Sequence, residues 1–238
     1  MGLLNLATGR TLRVTTVTIV TLAALATTAR GQDVGVFVSS ETTDGSIDEP
    51  GFSTGIDSAD AICNRLGTAA VPGSGPWVAW LSTGTQNAAA RIPVPGASDQ
   101  YVQTAFPSTV IATDLADLTD GTLTNPIAFD ETGSTPATVV WTGTNTAGTL
   151  TGPNCSDWTS AGGFTFGRVG QSADVGATWT SRPANFGCGG GRPPLGLYCF
   201  GHLSQPVPAT PGPAMLTLLV FLLGGGATLF YRNRRAAG

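Results

Sequence analysis

Four cysteines are the side chains in this 238-residue chain whose type could support metal binding, thiol chemistry or a covalent crosslink. They are Cys63, Cys155, Cys188 and Cys199. A structural zinc site usually contains two cysteines separated by two to four residues, and the sequence has no such pair. In an oxidising compartment, disulfides are the expected state of these side chains. The spacing alone leaves three disulfide connectivities open.

A second candidate site is a run of carboxylate and amide side chains within about 18 residues of turn-rich sequence. The run consists of Asp114, Asp117, Asp120, Asn125, Asp130 and Glu131. Hard oxygen ligands on a flexible loop suit calcium, although the spacing differs from that of an EF-hand loop. Asp and Asn also begin turns and cap short helices. Calcium is therefore one interpretation, and a helical turn over ATDLADLTDG, capped by Asp114 and ended by Gly121, is the other.

The sequence offers little for catalysis. A serine or cysteine nucleophile usually needs a histidine base, and the single histidine, His202, follows the last apolar segment before a proline-rich stretch. The adjacent carboxyl groups of Asp130 and Glu131 could do acid–base work, but adjacent acids in a turn are usually solvated. We predict that the protein is not an enzyme. A carboxylate-dependent hydrolase is the least favoured alternative.

The N-terminal 31 residues have the pattern of a secretory signal peptide. Two arginines precede an apolar run, VTTVTIVTLAALATT, and small residues at 29 and 31 fit cleavage before Gln32. A core strand or an uncleaved anchor is the alternative. Export explains why disulfides are expected.

The C-terminal residues have the pattern of a membrane anchor. Residues 214–231, AMLTLLVFLLGGGATLFY, carry no charge and would form a helix about 27 Å long, enough to cross a bilayer core. A proline-rich linker, 206–213, precedes this predicted transmembrane helix, and a basic tail, 232–238, follows it. Because basic residues that flank apolar segments stay in the cytoplasm, the segment between the two apolar runs is expected to lie outside the cytoplasm.

This order of proline-rich linker, apolar helix and arginine tail resembles the bacterial PEP-CTERM and IPTL-CTERM sorting signals. The resemblance implies a sorting protease as a partner. It also implies a protein at the cell envelope or cell surface, either membrane-anchored or released after C-terminal processing. A plain single-span anchor is the alternative.

The exported segment, 32–205, is strongly acidic. It contains five arginines, no lysine and all fifteen acidic residues, which gives a net charge of −10. Such a surface repels phosphate backbones, so nucleic-acid binding is excluded as an expected function. About 170 residues can bury a single sizeable core.

Three local patterns predict elements of this domain. Residues 57–67, DSADAICNRLG, form a short helix with Asp57 or Ser58 as N-cap and Gly67 as its end. Residues 195–200, LGLYCF, form a buried strand. Trp77 and Trp80 lie on opposite faces of a central strand, so one is expected in the core and the other towards loops or solvent.

The landmarks "VGVFVSS", "SADAICNRLG", "WVAWLS", "VVWTGTNTAGTLTGPNCSDWTS" and "LYCF" resemble the bacterial DUF1554 domain, which is similar to the C-type-lectin-like and endostatin-like fold. The resemblance covers most of residues 33–202. It implies an α+β domain with two nested disulfides. By position, these would be Cys63–Cys199, from the first helix to the last strand, and Cys155–Cys188, which holds the loop region.

The calcium-dependent sugar site of many C-type lectins is not expected, because the sequence lacks its motifs. Asn125-Pro126-Ile127 has no adjacent acid, and no carboxylate directly follows Trp141. We therefore predict a non-enzymatic recognition or adhesion module that binds an extracellular protein or a glycan through its loop region. A purely structural envelope domain without a ligand is the main alternative.

Overall fold

The computed structural model describes residues 32–136, 139–189 and 193–204. This part of the chain contains three right-handed α-helices, one 3-10 helix (Ala177–Trp179) and eight strands. The helices are α1 (Ile56–Ala70), α2 (Ala88–Arg91) and α3 (Leu115–Leu118). The strands are β1 (Val34–Val38), β2 (Trp77–Ala79), β3 (Tyr101–Gln103), β4 (Phe106–Ala112), β5 (Val139–Trp141), β6 (Phe166–Gln171), β7 (Asn185–Gly187) and β8 (Gly196–His202).

All eight strands belong to one mixed sheet, which confirms the predicted α+β class. The strand order is β4-β3-β1-β8-β5-β6-β7, and β2 also pairs with β8. Strand β8 is central because it pairs antiparallel with β1 and β2 and parallel with β5. The first and last strands of the domain therefore lie side by side, with Val34 opposite His202.

The core has two layers, one on each face of this sheet. One layer contains α1 together with Phe37, Trp77 and Trp141, and the other contains Trp80, Trp179 and Phe200. Strands β1 and β8 read as continuous apolar runs because side chains on both of their faces are buried.

The prediction for Trp77 and Trp80 was half right. The two indoles do lie in opposite layers. The expectation that one of them faces loops or solvent was wrong, because Trp77 and Trp80 are both fully buried. The second face of the sheet is covered by other parts of the chain, and the indole of Trp80 donates a hydrogen bond to Thr180 at 2.7 Å.

Helix α1 forms where it was predicted, but its ends differ. It runs from Ile56 to Ala70, with Gly55 rather than Asp57 or Ser58 at the N-cap. The predicted stop, Gly67, lies inside the helix and is buried. Its role is to make room for a side chain: a β-carbon at Gly67 would collide with the indole ring of Trp77.

No helix within residues 32–136, 139–189 and 193–204 is long and apolar enough to cross a membrane. The predicted signal peptide, linker, transmembrane helix and basic tail lie outside the described residues.

Candidate functional site

Two disulfides connect the four cysteines in the nested pattern that the family resemblance implied. The outer bond joins Cys63 on α1 to Cys199 on β8, with the Cα atoms 5.3 Å apart. The inner bond joins Cys155 to Cys188, with the Cα atoms 5.6 Å apart. All four side chains are buried. The pairing prediction is confirmed, and metal ligation by these cysteines is excluded because every sulfur is in a disulfide.

The inner disulfide begins in a left-handed helical turn, Cys155–Trp158. These four consecutive non-glycine residues have φ angles of 53°, 56°, 55° and 67°. The turn is closed by main-chain hydrogen bonds from Trp158 to Asn154 (2.8 Å) and from Thr159 to Cys155 (3.2 Å). A left-handed residue costs about 1–2 kcal/mol because its β-carbon crowds the following carbonyl, so contacts elsewhere must hold this turn in place.

Side chains on both sides of the turn supply those contacts. The amide oxygen of Asn154 accepts the main-chain N–H of Asp157 at 3.1 Å. The carboxylate of Asp157 accepts the N–H of Gly84 from a separate loop at 2.7 Å. The buried indole of Trp158 donates to the carbonyl of Ser82 at 3.0 Å, and the carbonyl of Trp158 accepts the N–H of Ile47. The turn therefore joins three loops into one unit.

The loop that follows this turn exposes aromatic side chains. Residues 160–165 lead from the turn to β6, and the loop is closed by hydrogen bonds from Thr165 to Gly162 (3.1 Å) and from Ser160 to Cys155 (3.0 Å). Phe164 is 99% exposed and Phe166 is 48% exposed. We call residues 160–166 the aromatic loop. Phe164 and Phe166 lie two positions apart, and exposed apolar side chains that form one patch can mark a binding contact.

The aromatic loop lies at the end of the sheet opposite the ends of the domain. At one end, the N–H of Leu203 donates to the carbonyl of Asp33 at 3.0 Å, so the beginning and the end of the domain lie next to each other. At the other end, Cys188 donates to Thr165 (2.9 Å) and accepts from Gly45 (2.7 Å), while Thr43 pairs with Leu195 just before β8 begins. The seven residues of β8 span the distance between the two ends.

The acidic run predicted as a calcium site does not converge on one point. Asp114 caps α3 by accepting the N–H of Asp117 at 2.9 Å, as the alternative interpretation predicted. Asp117 accepts the N–H of Thr113 at 2.6 Å.

The later members of the run also bond locally. Asp120 accepts from Thr122 at 2.8 Å, and the amide of Asn125 donates to the carbonyl of Val110 at 2.9 Å. Within the part of the chain that the structure describes, no group of three or more His, Cys, Asp or Glu side chains is arranged to hold a metal ion. Turn formation and capping account for these residues.

The carboxyl groups considered for catalysis are likewise engaged with the surrounding turn. Asp130 is buried and accepts the N–H groups of Thr132 and Ser134, both at 2.9 Å. Glu131 is buried and accepts from both the N–H and the hydroxyl of Ser40. His202 is half-buried at the end of β8, where its carbonyl accepts the N–H of Gly75 at 2.8 Å.

The sequence interpretation did not single out Phe164, Gly84 or the left-handed turn. The only available signal was the motif NCSDW, in which Asn154 is a good capping residue and Cys155 a disulfide partner. Nothing in five residues without glycine indicates a left-handed conformation.

Comparison with known families gives one match. Residues 46–175 match the model of the family described as "Protein of unknown function (DUF1554)". The matched region includes α1, the left-handed turn and the aromatic loop. No curated protein matches the chain.

Proposed function

We propose that this chain, which belongs to the DUF1554 family, is an exported recognition or adhesion module without enzymatic activity. In this proposal the aromatic loop binds an extracellular protein or a glycan. The two disulfides support export, because such bonds persist in oxidising compartments. The C-terminal anchor or sorting signal would keep the module at the cell surface until it is processed.

The observation that carries this proposal is the exposure of Phe164. Exposure of a phenylalanine side chain to water is unfavourable, and its burial against a partner contributes about 1.5–3 kcal/mol to the binding free energy. A binding loop also needs a rigid support. The aromatic loop lies between the left-handed turn and β6, and its Thr165 is hydrogen-bonded to Cys188, which is crosslinked to Cys155. A protein ligand fits best, since a fully exposed phenylalanine supplies apolar area.

A C-type-lectin-like or endostatin-like fold is part of the proposal. It is supported by the paired first and last strands, by the disulfide from the first helix to the last strand, and by the second disulfide nested within the loop region. The aromatic loop lies next to the inner disulfide of this nested pair.

The experiment is a binding screen of the full-length chain, reconstituted in lipid nanodiscs, against arrays of matrix proteins and glycans. The test variant is Phe164→Ser, and the matched control is Phe106→Ser, which changes a 43%-exposed phenylalanine on β4. We expect at least a tenfold loss of affinity for the test variant and no loss for the control.

Two results would contradict this function. The first is a ligand that Phe164→Ser binds as well as the unmodified chain does. The second is the absence of binding to every array member, which favours a structural envelope domain.

A further inference from the structure

A groove of about 700 Å³ lies beside α1, and no residue of the aromatic loop lines it. Its walls are α1 and the segment 49–53, and its floor is β2 with the preceding Pro76. The volume is in the range of sites that hold small ligands or a few side chains of a peptide. We call it the α1 groove.

The floor of the α1 groove is the outer edge of β2, which no strand of the described residues covers on the α1 side. Side chains of α1 take the place of a neighbouring strand there. The N–H of Trp77 donates to Asn64 at 3.2 Å, and the N–H of Ala79 donates to the carboxylate of Asp60 at 2.8 Å. Arg91 holds the other oxygen of Asp60 at 2.5 Å and donates to the carbonyl of Ala79 at 2.9 Å. The floor is therefore rigid before any ligand arrives.

The charge of the α1 groove is negative. Arg65 is the single basic residue among those that line it, and this guanidinium already binds both Glu41 (2.7 Å) and Glu49 (2.9 Å). Asp57 is exposed and has no ion pair within the described residues. Glu41 and Glu49 thus share one guanidinium and Asp57 has none, so these three carboxylates and Arg65 together carry a net charge of −2.

The charge of Asp57 acts on the neighbouring Asp60 of α1. Burial raises the pKa of Asp60 above its ordinary value, Arg91 opposes that shift, and the charge of Asp57 adds to it. A cation placed between Asp57 and Asp60 would relieve this repulsion. Among the described residues that line the groove, the one cation is Arg65, which is already bound to Glu41 and Glu49.

The rim of the α1 groove carries an aromatic ring. Phe52 is 57% exposed and lines the same groove as the α1 carboxylates Asp57 and Asp60. An exposed aromatic ring attracts a cation by about 0.5–1 kcal/mol and packs against the methylene groups of a long basic side chain. Carboxylates on one wall and an aromatic ring on the other form a pair of contacts suited to arginine or lysine.

We propose that the α1 groove binds an extended, arginine- or lysine-bearing segment of a partner protein. A second copy of this chain is a poor source of that segment, because the exported domain contains no lysine and three acids for every arginine. The groove is open to solvent, which suits a peptide segment bound at the surface. This site is separate from the aromatic loop and does not depend on the function proposed for that loop.

The test uses a blocked peptide of alternating arginine and alanine, titrated calorimetrically into the full-length chain at low ionic strength. The matched probe replaces each arginine with citrulline, which keeps the shape and removes the charge. We expect the citrulline peptide to bind at least about tenfold more weakly. Asp57→Asn and Phe52→Ala should each weaken arginine-peptide binding about threefold. Both residues are exposed, so the fold should tolerate these changes.

Asp120→Asn is the matched control, because it removes one exposed carboxylate far from the groove. Unchanged binding by Asp120→Asn and by Phe164→Ser would support a local site that is independent of the aromatic loop. Equal binding of the two peptides, no binding of the arginine peptide, or equal losses for Asp57→Asn and Asp120→Asn would overturn the proposal. The last result would show general attraction to an acidic surface.

Discussion

The indole ring of Trp77 occupies the space where the β-carbon of any residue other than glycine would lie at Gly67. This contact joins the C-terminal part of α1 to β2. We predict that Gly67→Ala destabilises the domain by about 1–3 kcal/mol, because overpacking outweighs the gain of about 1 kcal/mol in helix propensity. The measurement is the urea denaturation midpoint. Thr68→Ala, at the exposed neighbouring position, should change stability by only a few tenths of a kcal/mol.

At Ser156, in the left-handed turn, we predict a substitution that stabilises the domain. This residue is exposed, has φ and ψ of 56° and 57°, and only its main chain is hydrogen-bonded. Ser156→Gly should stabilise the domain by about 0.5–1 kcal/mol, since it removes about 1–2 kcal/mol of strain and adds about 0.5–1 kcal/mol of chain entropy to the unfolded state.

Ser156→Ala is the control for this prediction, because alanine keeps the β-carbon and hence the strain. Thermal denaturation of the two variants side by side tests the idea. If glycine is no better than alanine at position 156, the turn is not left-handed in solution.

The inner disulfide should contribute stability and order to the loop region. Closing a loop with a sequence separation of 33 is worth about 4 kcal/mol in the chain-entropy model. We predict that the double variant Cys155→Ala/Cys188→Ala loses up to that amount and is cut by proteases between the two positions. Limited proteolysis with mass spectrometry measures this. An unchanged cleavage pattern would mean that the hydrogen bonds of Trp158 and Asp157 alone hold the loops.

The ion pair of Glu41 with Arg65 predicts how stability varies with pH. Hydrogen bonds from Arg65 lower the pKa of Glu41 below its ordinary value. Because the pKa of Glu41 is lowered in the folded state, the ion pair stabilises the domain at pH values above the ordinary glutamate pKa. This stabilisation is lost as the pH falls through the pKa of Glu41 in the folded domain.

Because both side chains are nearly half exposed, the contribution is at most about 1 kcal/mol. Glu41→Gln should therefore lower the free energy of unfolding at neutral pH and make no difference in strong acid. If the difference in stability between Glu41→Gln and the unmodified chain grew as the pH fell, the pKa of Glu41 would not be lowered by Arg65.

Those parts of the fold in which the local sequence pattern agrees with the tertiary structure could be predicted from the sequence. The apolar face of α1, with Ile62 and Cys63, predicted the helix, and the run LGLYCF predicted β8. The cysteine pairing could not be derived from spacing and followed from the family resemblance, which the match over residues 46–175 supports.

The missed features depend on tertiary contacts that no local pattern encodes. Gly67 was taken for a helix end because glycine usually marks one, whereas here it accommodates Trp77. One of Trp77 and Trp80 was expected to face loops or solvent because the second layer of the core, around Trp179, could not be foreseen. Neither the exposure of Phe164 nor the left-handed turn before it was predicted, because the motif NCSDW gives no sign of that turn.

The adjacent ends of the domain and the outer disulfide together determine how the domain responds to mechanical force. A pull on Asp33 and Leu203 opens β1 and β8 from their shared end, one residue pair at a time. Peeling must stop at the bond between Cys63 and Cys199, which encloses a sequence separation of 136. A chain length of about 450 Å therefore stays out of reach of the applied force. The aromatic loop lies within that protected length, so it should keep its shape in a protein stretched by flow.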